Sequence, residues 1–324
     1  MHFLRWRAAR SVSSSMADVM AQGTAIEARF LRALTLDPKS HPRAQPHISA
    51  ASGLVCAYGR AYVISDDEHH IAVFRDRYGH GELYRIVPAN LPAGKQARKL
   101  RKADFEILLR LPDRTVHGGG LVALGSGSRS NRQKGVFIPL DEQGVPSNRV
   151  RMFDLAPLYR PLRTILGEIN VEGAVVIDDE LLLLNRGVVH RSDNATARYR
   201  MADLIELIEG KRSDIEPIEL RRYDLGAIDG IGLGFTDGAA VPGGGWVFTA
   251  VAENTDDSFE DGPCAGAAVG WVDAKGALHA VHPLSTPLKV EGIDVQVVDN
   301  AMWICLVTDS DDPGQSSTMW LARL

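Results

Sequence analysis

One short pattern occurs five times, and it restricts the fold more than any other feature of the chain. In its clearest form, "NVEGAVVIDDELLLLNRG" (170–187), an acid and a glycine lead into an apolar run, a tight turn, a second apolar run and polar residues. Near the C-terminus it returns as "KVEGIDVQVVDNAMWICLVTDSDD" (289–312). Aligned on the acid, the copies are anchored at Ser52, Glu106, Glu172, Asp237 and Glu291, spaced by 54, 66, 65 and 54 residues. The path from the last anchor through both termini to the first is one further step of this size, once about 20 residues of tail are set aside.

Each copy supplies a second strand ("RAYVIS", "LVALGS", "LLLLNR", "WVFTAV", "MWICLV") and a third ("IAVF", "GVFIPL", "ARYR", "AAVGWV", "TMWLA"). Four copies add a fourth strand ("ELYRIV", "RVRMF", "IELRRY", "LHAVHPL"). The fifth copy ends at Leu324, and "AIEARFLRALTL" (25–36) offers the missing strand. Runs such as "AVVI" and "LLLL" are continuously apolar, as strands covered on both faces are. The pattern predicts an all-β chain, a β-propeller of five four-stranded blades closed by the N-terminal strand. Such closure removes an open sheet edge. Six blades, a β-sandwich or two small β domains stay open as alternatives. Residues 1–22 read as a disordered tail and 23–324 as one propeller domain. Two helices are expected on the rim between repeats, over 201–211 and within "LAPLYRPLRTIL" (155–166).

A net charge of −5 offers no basic field for nucleic acid. No apolar run approaches a membrane span. Cys56, Cys264 and Cys305 are odd in number and far apart, which argues for a reducing compartment over a disulfide framework. The basic, Ser-rich N-terminus has no apolar core of a signal peptide. The expectation is a cytoplasmic monomer.

Propeller geometry converts the repeat into a site. The starts of the first strands and the ends of the second strands share one face of the ring. That face should gather Ser52, Glu106, Glu172, Asp237 and Glu291 with Asp66, Asp67, Ser126, Ser128, Arg129, Arg132, Asn185, Arg186, Glu253, Asn254, Asp309 and Asp311. Carboxylates about 8 Å apart repel by about 2 kcal/mol per pair at an effective dielectric of about 20. A cation, raised pKa values or nearby arginines relieve this. Hard oxygen ligands point to Ca2+ or Mg2+ on Glu106, Glu172, Asp237 and Glu291. Arg129, Arg132, Asn185 and Arg186 are the candidates for binding a small anionic substrate. The competing reading makes the acids strand caps that bind backbone N–H groups.

Other motifs carry less. "GIGLG" (230–234) fits no nucleotide loop and reads as a turn or bulge, and "GSGSRS" (125–130) lacks the spacing of a nucleophile elbow. His69-His70 has no zinc partner at ligand spacing. "GKQARKLRKAD" (94–104) reads as a solvated loop, with an anion-binding patch as the alternative. "TDSDDPG" and "ENTDDSFEDG" lack the spacing of an EF-hand loop.

The glycine-after-acid starts, with "KADFEILLRLP", "GGGLVALGSGSRSNR" and "AVAENTDDSFEDG", resemble an uncharacterised bacterial family of propeller-type proteins. More distantly, "VEGA" and "NRG" resemble the phytase-esterase-like propeller superfamily. That resemblance implies a cation at the axis and ester or phosphoester substrates. It also implies Glu172, Asn185, Arg186 and Glu291 as site residues, while Ser52 breaks the acidic pattern. Two functions follow from different classes. One is a cation-dependent hydrolase of an ester, lactone or phosphoester, and the other is a non-catalytic propeller that binds a ligand or a protein.

Overall fold

The computed structural model describes residues 25–112, 119–187, 194–254, 262–299 and 301–324. The tail read over 1–22 and most of "ENTDDSFEDG" lie outside the described residues. After β1 (Ala28–Ala33), the first sheet is β2 (Ala51–Ala57), β3 (Arg60–Ser65), β4 (His70–Phe74) and β5 (Glu82–Arg85). A short helix, α1 (Lys95–Lys99), precedes β6 (Phe105–Leu111), β7 (Gly120–Gly125), β8 (Lys134–Pro139) and β9 (Arg151–Asp154). Helix α2 (Ala156–Leu166) leads to β10 (Val171–Ile177), β11 (Glu180–Asn185) and β12 (Asn194–Arg200), then α3 (Met201–Ile208) and β13 (Glu219–Tyr223). The fourth sheet adds a two-residue hairpin strand, β14 (Ala227–Ile228), beside the start of β15 (Ile231–Ala240), which is followed by β16 (Trp246–Glu253), β17 (Cys264–Val272) and β18 (Leu278–Pro283). The fifth joins β19 (Val290–Val298), β20 (Ala301–Thr308) and β21 (Thr318–Arg323) to β1.

Strand β2 touches β6, β6 touches β10, β10 touches β15, β15 touches β19, and β19 touches β2. The innermost strands therefore form a closed ring, and the fold is a five-bladed β-propeller. Strands β3, β7 and β11 are buried almost throughout because a blade covers each face. The ring is shut by β1, which pairs antiparallel with β21 from Ala28↔Ala322 to Ala33↔Thr318. Leu34 and Leu36, just beyond it, are fully buried.

Two local expectations are corrected. Helix α3 lies within the third blade, between its third and fourth strands, and not between repeats. Its Leu204, Leu207 and Ile208 join the core that also takes Leu158, Tyr159 and Leu162 of α2. The basic segment read as a loop contains α1. "GIGLG" does hold a tight turn, with Asp229 and Gly230 both at positive φ between β14 and β15.

Each innermost strand carries a bulge at the same end, where one residue drops out of register. The bulged residues are Ser52, Glu106, Glu172, Thr236 and Glu291. The fourth is Thr236, so Asp237 occupies the place that glycine fills in three other blades. The glycine has a packing cause. A Cβ on Gly173 would sit 2.6 Å from the Cα of Asp237, and one on Gly53 would sit 2.9 Å from the Leu108 nitrogen. Here neighbouring inner strands close on one another at the axis.

Candidate functional site

A bulge re-aims a side chain, and here it turns one residue per blade toward the mouth of the axis. Two of the five are hydroxyls. Ser52 Oγ donates to the Phe105 carbonyl at 2.6 Å, and Thr236 Oγ1 donates to the Val290 carbonyl at 2.8 Å. Both acceptors precede the bulge of the next blade, so the two hydroxyls do the same work, which confirms Thr236 as the fourth member. The other three are glutamates. Glu172 and Glu291 are buried. Burial pushes the carboxyls of Glu106 and Glu291 well above the usual range, and for Glu106 the charges of Glu172 and Asp104 add to it. Burial likewise raises Glu172 to about 7 against the pull of Arg186.

A second ring lies two residues before the bulges. The carbonyls of Ala50, Asp104, Asn170 and Lys289 accept the N–H groups of Asp66, Ser126, Arg186 and Asp309 at 2.8–3.2 Å. These bonds end the hairpins and set their exit residues around the mouth. In blade four the equivalent position is Gly234, where a Cβ would meet Arg186 Cγ at 2.9 Å. That missing side chain lets Arg186 reach Glu253 at 2.5 Å.

Four buried cations stand between the acids. Lys102 binds Asp66 and, at 2.9 Å, Asp104. Arg132 binds Asp104 at 2.7 Å, and Arg186 binds Glu253. Lys289 lies 2.6 Å from Asp311, 3.4 Å from Glu253 and 3.8 Å from Glu291. Burial works to neutralise Lys102 and Lys289, but the surrounding carboxylates outweigh it and hold both charged. Lys102, Asp104 and Lys289 were missed as site residues, although a signal was present. In "KADFE" and "KVE" the lysine, the aspartate and the glutamate fall two apart, the spacing that would share one side of an extended strand.

The expected site residues divide accordingly. Glu106, Glu172, Glu291, Arg132 and Arg186 come together at the mouth. Asp237 does not. Its carboxylate accepts the N–H of Gly238 at 2.8 Å and that of Ile293 in the next blade at 3.0 Å. Asp294 repeats this across the closing seam, accepting the Cys56 N–H at 2.5 Å. An innermost strand has an unpaired edge toward the axis, and these two aspartates satisfy it. The strand-cap reading therefore holds for Asp237. Arg129 is exposed ahead of the turn that buries Arg132. Asn185 is spent on backbone, accepting the Asn170 N–H at 2.9 Å. Asn170 Nδ2 in turn donates to Glu172.

A model of a family of unknown function, DUF6929, matches residues 47–324. The chain belongs to the DUF6929 family. No curated protein matches it. Among solved structures, an exo-β-1,3-galactanase from Phanerochaete chrysosporium shares 9% identity over 90% of this chain and 64% of its own, with a TM-score of 0.51. A glycoside hydrolase family 43 arabinoxylan arabinofuranohydrolase from Bacillus subtilis shares 10% over 90% and 66%, at 0.50. A calcium-binding regucalcin from Agrobacterium tumefaciens shares 11% over 93% and 96%, at 0.44. At such identities the likeness concerns the fold.

Among the described residues, the mouth of this DUF6929 protein holds one group of oxygens suited to a hard cation. Asp66, Asp104 and Glu106 bring ligand atoms within 4.8 Å of one another. Asp66 Oδ1 is buried with no hydrogen-bond partner. The donor set fits Ca2+ or Mg2+ in kind, with Lys102 seated on two of the same carboxylates, through Asp66 Oδ2 and Asp104 Oδ1. No helix among the described residues is long and apolar enough to cross a membrane.

Proposed function

We propose that this DUF6929 protein is a hydrolase-like propeller that cleaves an ester, lactone or phosphoester at its axial mouth with a divalent cation, Ca2+ or Mg2+. The support is the meeting of Asp66, Asp104 and Glu106 within 4.8 Å, beside a Glu172 carboxyl that burial raises to about 7. Asp66, Asp104 and Glu106 would hold the ion. Bound there, it supplies positive charge that polarises a substrate oxygen and acidifies water. Glu172, raised to about 7 by burial, takes a proton from the attacking water and returns it to the leaving oxygen. Asn170 orients Glu172 by its hydrogen bond. Lys102 and Arg132 fix Asp104, while Arg186 fixes Glu253. The galactanase and the arabinofuranohydrolase support hydrolysis at the level of fold only.

The test is metal analysis of the purified chain, then chromogenic esters, lactones and phosphoesters with and without EDTA. Turnover that EDTA abolishes, and that Glu172→Gln lowers by about 10²–10⁴, is the expected result. The alternative, a non-catalytic ligand-binding propeller, draws on the four cations already seated on acids. Absence of both metal and turnover would decide for it.

A further inference from the structure

On the face opposite the mouth, where the first strand of each blade turns into the second, a cavity of about 200 Å3 opens between the third and fourth blades. The third blade gives it one wall. Glu180 and Leu182 of β11, Arg198 of β12, and Glu219, Arg221 and Tyr223 of β13 line it. Within β11 and β13 these are alternate residues, which point to one side of a sheet. Leu182, Arg198 and Glu219 stand side by side in the strand register. The fourth blade gives the other wall through its β15–β16 and β17–β18 turns. That wall is pinned to the third blade. Arg221 Nη1 donates to the Lys275 carbonyl at 2.7 Å, and Tyr223 Oη donates to the Gly276 carbonyl at 3.2 Å. Gly276 sits at positive φ, and a Cβ there would collide with Arg221 Nη1. Glycine thus permits the bond that sets the width of the cavity.

Six charged side chains line the cavity, four acids and two arginines. Both arginines are engaged on acids. Arg221 holds Glu219 at 2.7 Å, and Arg198 lies 3.4 Å from Glu180 and 3.4 Å from Glu219. Asp273 accepts the N–H groups of Lys275 and Ala277 at 2.8 and 2.9 Å and faces His279 at 2.8 Å. His279 and those N–H groups lower its carboxyl from 3.8 to about 2, so it stays ionised. Asp178, exposed at the rim, has no ion pair or hydrogen bond among the described residues, and Glu180 has only its share of Arg198. The least engaged charges are therefore negative. Even a protonated His279 leaves the balance of the cavity negative. These acids do not close on one point, since among the described residues only Asp66, Asp104 and Glu106 bring three ligand atoms within 4.8 Å. Beside the charges, the lining includes Ile177, Leu182 and Trp246.

We infer that this cavity is a second binding site, which takes a small organic cation: a protonated amine on a single ring, with its ammonium group at Asp178 and Glu180 and its ring against Leu182 and Trp246. A bare metal ion would find neither converging carboxylates nor a use for the apolar lining. An anion would meet a surplus of acids. An organic ammonium meets both features, because it donates to carboxylates and is attracted to aromatic faces. A cavity of about 150 Å3 holds one benzene ring, so this one suits a ring with a short arm. The site lies across the ring from Asp66 and Glu172, and it stands or falls apart from hydrolysis at the mouth.

The experiment titrates the full chain at neutral pH with benzylammonium, benzyl alcohol and benzoate at matched ionic strength. Calorimetry and melting temperature are the readouts. The three probes share a ring and differ in charge. Benzylammonium should bind saturably and raise Tm, benzyl alcohol should bind at least about tenfold more weakly, and benzoate should not bind. Asp178→Asn with Glu180→Gln should weaken benzylammonium binding at least about tenfold. Glu27→Gln with Glu142→Gln removes the same charge from exposed positions elsewhere and should leave binding unchanged. No saturable binding of benzylammonium overturns the inference. So does benzyl alcohol or benzoate binding as tightly, since charge would then play no part. Binding that survives intact in the Asp178 and Glu180 variant would place the cation elsewhere, the acidic mouth included, and also overturns it. An equal loss in the Glu27 and Glu142 control would reduce the effect to the net charge of the chain and overturn it too. Metal and turnover at the mouth are read separately, so the failure of either reading leaves the other standing.

Discussion

Asp237 and Glu172 are buried carboxyls in adjacent blades with opposite duties. Asp237 accepts two buried backbone N–H groups, of Gly238 and Ile293, so its removal takes an acceptor from both. Asp237→Ala should destabilise by about 2–4 kcal/mol, since each buried unpaired donor costs about 1–3 kcal/mol. Denaturant unfolding measures this, and the response to calcium should stay unchanged. A loss of calcium response in this variant would return Asp237 to the mouth. Sequence alone misplaced it because "FTDG" imitates the acid-glycine start, with an acid beside a glycine one residue late. Only the register shows that Thr236 stands with Ser52 and that the aspartate has slid into the glycine's place. The mouth glutamates were legible from the repeat. Lys102 reads as part of a solvated basic loop and Lys289 carries no signal of its own, because a cation two residues before an acid reads as an ordinary exposed pair until the fold buries both.

Elements were legible where burial on both faces forced continuous apolar runs. "RAYVIS" coincides with β3, and "AIEARFLRALTL" contains β1. Helix α1 was not legible, since it is short and basic with Ala97 as its one apolar residue, and only its place beside the mouth reveals its face. Strand β1 makes a strong prediction. Deleting residues through Leu36 removes a strand that pairs with β21 and two fully buried leucines. Each leucine side chain is worth about 2–5 kcal/mol, so the truncated chain should lose cooperative unfolding or melt far below the parent. Leu34→Ala alone should cost about 2–5 kcal/mol. A truncation that melts like the full chain would mean the ring does not depend on its N-terminal strand.

At the scale of the whole molecule, the buried carboxyls of the mouth, with Asp294 on the inner strand edge, should govern stability through pH. Burial raises Asp66 from 3.8 to about 6, Glu172 from 4.5 to about 7 and Asp294 from 3.8 to about 7. Each group holds a proton more tightly folded than unfolded. Their contribution is fully present below about pH 4 and is lost as pH rises through 6 and 7. Glu68 acts in the opposite sense. Burial alone would raise it, but the hydrogen bond from His41, the imidazole of His70 at 3.8 Å and the charge of Arg43 hold it well below the usual carboxylate range. Its stabilisation is present above about pH 4.5 and fades in stronger acid. Without divalent ions, Tm should therefore peak near pH 5 and fall toward pH 8. Glu172→Gln should flatten that fall, because one of the titrating carboxyls is gone. Calcium should act mainly at the alkaline end, where the carboxyls that hold it are ionised. At a hundredfold excess over Kd the gain is about 2.7 kcal/mol, and Glu106→Gln should remove most of it. Melting curves from pH 4 to 8, with and without calcium, read all of these terms at once. A calcium-free Tm that climbs steadily from pH 5 to 8 would contradict the proton-sharing mouth. A calcium gain of the same size at pH 5 and pH 8 would place the ion away from Asp66, Asp104 and Glu106.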